Sequence, residues 1–333
     1  MGNITNLLHF IIYLAAFWIR GIFATRNRIL GMIVSHDVHM SIDPLLLIFD
    51  QYLSMCEGGW SVSLIIYTAF PPSDRLYDYM SSKIFCYAIN KPYKVRFEIA
   101  DKSIGVRLAL IHRKTVAAEL ENYDLFIYQE DDIIVTHAHV VAYIQEMKNL
   151  YIRNHSSPLN YTVGFQRYFI EDHPSQINED YLIRRRERYQ EFPHYQSTCY
   201  HGGVYMDCSR NTHQAMWMLS RSQIKILHRK CSFLDQTLDD NKGNSYLVRE
   251  YMSSFSIFRN NFDFVENSCG MYKLMPLSTI NRFFVHHYYM GKEQPDGKSI
   301  QDYIMGFNEE QNRNPACKLG TNKEEAKFIA ASE

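Results

Sequence analysis

Between residues 28 and 150 the chain alternates four times between a short apolar run and a longer amphipathic stretch, and this alternation constrains the fold more than any other feature. The runs Arg28–Val34 (RILGMIV), Trp60–Tyr67 (WSVSLIIY), Tyr93–Ile99 (YKVRFEI) and Tyr123–Tyr128 (YDLFIY) are rich in β-branched and aromatic residues and read as strands. The stretches Asp43–Met55, Asp74–Phe85, Ile104–Asn122 and Thr136–Leu150 carry helical periodicity, and Pro44 suits a first helical turn. Strand followed by helix, repeated, predicts an α/β domain with a mostly parallel central sheet flanked by helices. Ligands of such sheets bind outside the carboxyl ends of the strands.

The second half is less regular. Tyr161–Phe169 and Tyr200–Met206 read as strands, and Asn211–Ser222 and Asn244–Ser256 as helices. Glu171–Tyr195 reads as loop plus helix around Arg184-Arg185-Arg186, and Leu234–Gly243 as a polar loop. Asn281–Tyr289 is apolar and carries His286-His287. A length of 333 residues at 46% hydrophobic content suits one large domain, placed at 28–291, with a polar tail over 292–333. The formal net charge of -1 gives no basic excess for a nucleic-acid partner and no acidic excess of the kind that favours disorder.

Residues 1–27 form a separate unit. Leu7–Phe23 (LLHFIIYLAAFWIRGIF) is apolar apart from His9 and Arg20, and reads as a signal-anchor or an uncleaved signal peptide. A soluble helix packed on the domain is the alternative. Arg20, Arg26 and Arg28 lie in or after the segment and no Lys or Arg precedes it, which favours a cytoplasmic body. The sequons at Asn3, Asn154 and Asn160 point weakly the other way, to a lumenal body in the secretory pathway. The balance leans to a secretory-pathway membrane, with the orientation left open. Seven cysteines without a CxxC pair argue against a zinc ribbon. They allow a disulfide or two in an oxidising compartment, or buried free thiols.

The chemistry is concentrated in Glu130-Asp131-Asp132, between the apolar runs LFIY and IIV. Three adjacent carboxylates repel one another unless a cation or hydrogen-bond donors compensate. Set between hydrophobic walls at a strand end, they suit a hard divalent ion whose shell phosphate oxygens complete. An acidic turn on a solvated edge is the plainer alternative.

The segment Tyr123–Asp132 (YDLFIYQEDD) resembles the DXD region of GT-A-type glycosyltransferases, here as E-D-D. The resemblance implies a GT-A-like fold, a nucleotide-sugar donor (UDP- or GDP-sugar), Mn²⁺ or Mg²⁺, and a glycan acceptor. By that analogy Asp132 is a metal ligand, Glu130 touches ribose or a metal-bound water, and Asp131 points away because extended neighbours alternate. Gly202-Gly203 resembles an acceptor-side loop, or is a plain turn. Glu250 resembles the general base of inverting members, with Asp235 as its rival. His286 resembles the C-terminal histidine that reaches metal or diphosphate, a mixed N/O shell that suits Mn²⁺. His112 and Arg113, with Lys114, are candidates to neutralise the diphosphate, or lie on a solvated helix face.

The chain lacks GxxxxGK[ST], a GxGxxG after its first strand, G-x-S-x-G and H-E-x-x-H, which disfavours NTPase, dinucleotide, hydrolase and zincin chemistry. The expectation is a membrane-anchored hexosyl- or N-acetylhexosaminyl-transferase of Golgi or endoplasmic reticulum type. A catalytically silent GT-A-like module that binds glycan or protein is the alternative. A nucleotidyltransferase ranks last, because Val34–His39 lacks both Gly and Lys.

Overall fold

The computed structural model describes residues 27–153, 161–171, 186–189, 196–200, 203–207, 215–235, 257–258 and 269–287. The expectations for Leu7–Phe23, Asn244–Ser256 and the polar tail lie outside these residues. Among the described residues no helix is long and apolar enough to cross a membrane.

The first half follows the expected alternation. Strand β1 (Arg28–Val34) leads to helix α1 (Ile42–Glu57), β2 (Ser61–Thr68), α2 (Asp74–Lys83), β3 (Lys94–Ile99), α3 (Leu108–Glu119) and β4 (Leu125–Glu130). A short strand β5 (Ile133–Ile134) and helix α4 (His137–Arg153) follow. Every residue of β4 is buried, as expected of a strand covered on both faces.

β1 pairs in parallel with β2 on one side and β4 on the other, and β2 pairs in parallel with β3. An antiparallel strand, β11 below, completes the five-stranded central sheet beyond β4. Odd residues of β1 and β4 (Ile29, Ile33, Leu125, Ile127) enter one core with α1, α2 and α4. Even residues (Leu30, Met32, Phe126, Tyr128) enter a second core with α3 and the last helix. The period of two along each strand therefore divides its side chains between two helical layers.

The second half departs from expectation in several places. The run Tyr161–Phe169 divides at Gly164 into β6 (Tyr161–Val163) and β7 (Gln166–Glu171), which join different sheets. Part of the arginine run is strand rather than helix: β8 (Arg186–Tyr189) pairs antiparallel with Tyr168–Glu171 of β7. β9 (Gln196–Tyr200) and β10 (Gly203–Asp207) pair antiparallel. The helix expected over Asn211–Ser222 is, in its described part, strand β11 (Met216–Ser220), antiparallel to Leu125–Gln129 of β4. Five residues cannot show a helical period, and the buried edge of β4 offered them a ladder. Helix α5 (Arg221–Cys231) starts only after Ser220, whose side chain forms a reciprocal capping box with Gln223. β12 (Tyr272–Pro276) and β13 (Phe284–His287) close two further four-stranded sheets, ordered β9-β10-β12-β6 and β8-β7-β13-β5.

Two disulfides are present among the described residues, Cys56–Cys86 and Cys231–Cys269. The first ties the end of α1 to the segment after α2. The second ties the end of α5 to the approach to β12.

Candidate functional site

The sheet order places the acidic cluster. From β1 the chain moves outward to β2 and β3, then returns to the opposite flank of β1 as β4. β1 is followed by the α1 crossover to β2 on one flank, whereas β4, on the other flank, turns directly into β5 of a different sheet. The strand order thus reverses between β1 and β4, and ligands of open α/β sheets bind outside the carboxyl ends at such a reversal. Val34 ends β1, Glu130 ends β4, and the two are register partners.

The turn Glu130-Asp131-Asp132 is anchored on both flanks. The Glu130 amide donates to the Ala215 carbonyl at 2.9 Å, and the Asp131 amide to the Val34 carbonyl at 3.2 Å. Glu130 is 5% exposed, and one carboxylate oxygen of Asp132, Oδ1, is closed off from solvent. The turn is also a change of sheet, since β4 belongs to the central sheet and β5, two residues on, to another. In that second sheet His286 pairs with Ile134 and His287 with Ile133. The strand carrying His286 thus lies beside the strand that leaves the acidic turn.

Other expected residues fall elsewhere. His112 is fully buried, with its ring centroid 4.4 Å from that of Tyr128 and 5.6 Å from that of Trp217. Burial, with the Arg113 charge beside it, holds its pKa down at about 3, so the imidazole is neutral. Arg113 is 2% exposed, donates to the Phe233 carbonyl at 3.1 Å, and lies 4.7 Å from the centroid of the Phe233 ring. His112 is sealed between α3 and the sheet, and Arg113 between α3 and the turn carrying Phe233, so neither lies on a solvated helix face. Asp235 ends the short turn after α5, well exposed, 3.9 Å from His228. Gly203 opens β10, opposite Tyr200. Gly202 and Glu250 lie outside the described residues.

The loops after β1, β2 and β3 supply residues that the sequence did not single out. The amide of buried Ser35 donates to the Tyr67 carbonyl at 2.9 Å, and the Ala69 amide donates to the His36 carbonyl at 3.1 Å. The His36 ring meets Phe70 edge-on at 5.9 Å, and Lys102 Nζ sits 4.4 Å from the centroid of the same Phe70 ring. Asp37 accepts from the His39 amide at 2.9 Å, which shapes the β1–α1 loop. The signal was available, because each of these residues directly follows an expected strand.

Among the described residues no three His, Cys, Asp or Glu side chains gather into a ready-made cation site. Magnesium and manganese ions that bind phosphates do not need one: one or two carboxylates suffice, with phosphate oxygens and water completing the shell. Asp132 and Glu130 fit that sparse requirement. A cleft of about 630 Å³ lies at the other edge of the sheet, lined by Arg28, Ser61, Lys94, Arg96 and Glu119 among others. It is formed at the amino ends of β1, β2 and β3 and does not include the acidic turn. Strand topology points instead to the carboxyl ends, where the carboxylates lie.

No family model matches the chain, and no curated protein matches it. Solved structures similar to it include TarS from S. aureus (residues 1–349), at 7% identity and a TM-score of 0.33. That alignment covers 68% of this chain and 54% of TarS, so the chain spans about half the length of that relative. A second is the galactosyltransferase LgtC in complex with donor and acceptor sugar analogs, at 9% identity and a TM-score of 0.29, covering 86% of this chain and 96% of LgtC. Overlaps this loose do not by themselves establish an activity.

Proposed function

We propose that the protein is a metal-dependent glycosyltransferase that moves a sugar from a UDP- or GDP-sugar to a hydroxyl of a glycan, glycoprotein or glycolipid. The observation that carries this is the position of Glu130-Asp131-Asp132 at the reversal of strand order, directly beside the end of β1. Asp132 would hold Mn²⁺ or Mg²⁺, with Glu130 on ribose or a metal-bound water, and the ion would supply Lewis-acid stabilisation of the leaving nucleotide. His36 and Phe70 present aromatic faces to the base. His286 approaches the diphosphate from the neighbouring sheet. In an inverting reaction Glu250, or Asp235 in its place, takes the proton of the acceptor hydroxyl.

The two disulfides support an oxidising compartment, and with Leu7–Phe23 they favour a lumenal domain on a secretory-pathway membrane. The test is a panel of nucleotide-sugars incubated with Mn²⁺. Release of nucleotide from at least one donor, lost in Asp132→Asn, supports the reading, and full activity in that variant overturns it.

The alternative reading is a catalytically silent module that binds glycan or protein. Thermal stability separates the two. Mn²⁺ with UDP or GDP raises the melting temperature of an enzyme with an intact donor site. No response to any nucleotide selects the binding module.

A further inference from the structure

Two buried polar residues have no part in the chemistry above, yet they reach across the acidic turn. Gln129 and Tyr52 are both fully buried. Gln129 Nε2 donates to the Ile133 carbonyl at 2.6 Å, with Glu130, Asp131 and Asp132 in the chain between them. Its Oε1 accepts from the Tyr52 hydroxyl at 3.0 Å. Donor and acceptor roles are both used, which fixes the orientation of the amide.

Tyr52 is itself held by an unusual vacancy. A β carbon on Gly31 would stand 2.4 Å from Tyr52 Cε1, so the ring lies directly on the β1 backbone. Gly31, Tyr52, Gln129 and Ile133 thus form one continuous path from β1 through α1 to both sides of the turn. The backbone anchors at Val34 and Ala215 fix Glu130 and Asp131 only. The Gln129 amide secures the far side, where Asp132 passes into β5.

We infer that Tyr52 and Gln129 are positioning residues that hold the acidic turn in the geometry that receives a divalent cation. This rests on the proposed reading of the turn as a cation and diphosphate site. A brace sealed from water is strong because neither partner has solvent to fall back on.

The competing explanation is an ordinary core hydrogen bond that stabilises the fold and nothing more. A double variant separates the two. Tyr52→Phe alone leaves the Gln129 oxygen buried without its donor, so the fold loses stability under either explanation. Tyr52→Phe with Gln129→Leu removes the Tyr52–Gln129 pair together, which restores part of that stability, while the Ile133 carbonyl loses the Gln129 donor. Mn²⁺ binding to the full chain is followed by water-proton relaxation, and amide exchange is followed over 129–134 with 61–68 as internal reference.

The expected result is Mn²⁺ affinity about ten-fold weaker in the double variant, with faster exchange confined to 129–134 and a melting temperature above that of Tyr52→Phe alone. Wild-type Mn²⁺ affinity and unchanged exchange in the double variant overturn the inference while leaving the cation site standing. A wild-type protein that takes up no Mn²⁺ overturns the site itself, and the positioning role with it.

Discussion

Val34 and Glu130 stand side by side at the ends of neighbouring parallel strands, where the strand order of the sheet reverses. Their adjacency turns a run of acids into a candidate ligand site. Of the three carboxylates, Asp132 has an oxygen enclosed by protein, while Asp131 is tied through its amide to β1. Asp132→Asn is expected to lower metal-dependent donor turnover by about 100-fold or more, and Asp131→Asn by far less. Initial rates against Mn²⁺ concentration check both. Equal losses in the two variants would refute the assignment of Asp132 as the ligand.

Acid should destabilise the fold through two histidines. Burial is the main cause that holds His112 at a pKa of about 3 and His139 at about 4, below the ordinary value of 6.5. Each is neutral when folded and takes up a proton when unfolded. Their contribution is therefore complete above pH 6.5 and is lost as pH falls through the window between 6.5 and the folded values. Each adds a slope of up to about 1.4 kcal/mol per pH unit in that window. Urea midpoints between pH 7 and pH 4 test this. His112→Phe should flatten the acid limb, and an unchanged limb would show that His112 does not carry it.

Much of this was legible in the sequence and some was not. The strand at Arg28–Val34 was read with its final bounds, because a buried parallel strand flanked by turn residues has little freedom of assignment. The order of the strands was hidden, since it is set by crossovers rather than by any local pattern. β11 was mistaken for helix because its pairing partner, β4, lies some ninety residues earlier in the chain. His112 and Arg113 looked like a charged helix face. They are interior because the turn carrying Phe233, far along the chain, folds over Arg113. Tyr52 and Gln129 read as ordinary core and strand residues, since a buried polar pair leaves no periodic trace.

The Cys56–Cys86 bridge closes a loop with a sequence separation of 30 residues, and both cysteines are fully buried. Replacing both by Ser should lower stability by about 3 kcal/mol. Equilibrium denaturation of the oxidised protein and of the double variant measures the difference. A variant as stable as the parent would mean that the bridge adds nothing beyond what α1 packing already provides.

Gly31→Ala should be costly for its size. The added methyl would meet the Tyr52 ring at 2.4 Å, and both flanking elements are packed. A loss of about 1–3 kcal/mol is expected, partly recovered by pairing it with Tyr52→Leu. Denaturation midpoints of the single and double variants decide it. A single variant of full stability would show that the ring can move aside.

Gly31 and Tyr52 share one volume, so they are also one unit of inheritance. A side chain at position 31 costs stability while the ring at position 52 stays in place, so the effect of a substitution at one position depends on the residue already present at the other. The less costly order of change shrinks the ring before the glycine goes. Once it has, the hydroxyl that reached Gln129 is gone, and the way back requires both positions to revert.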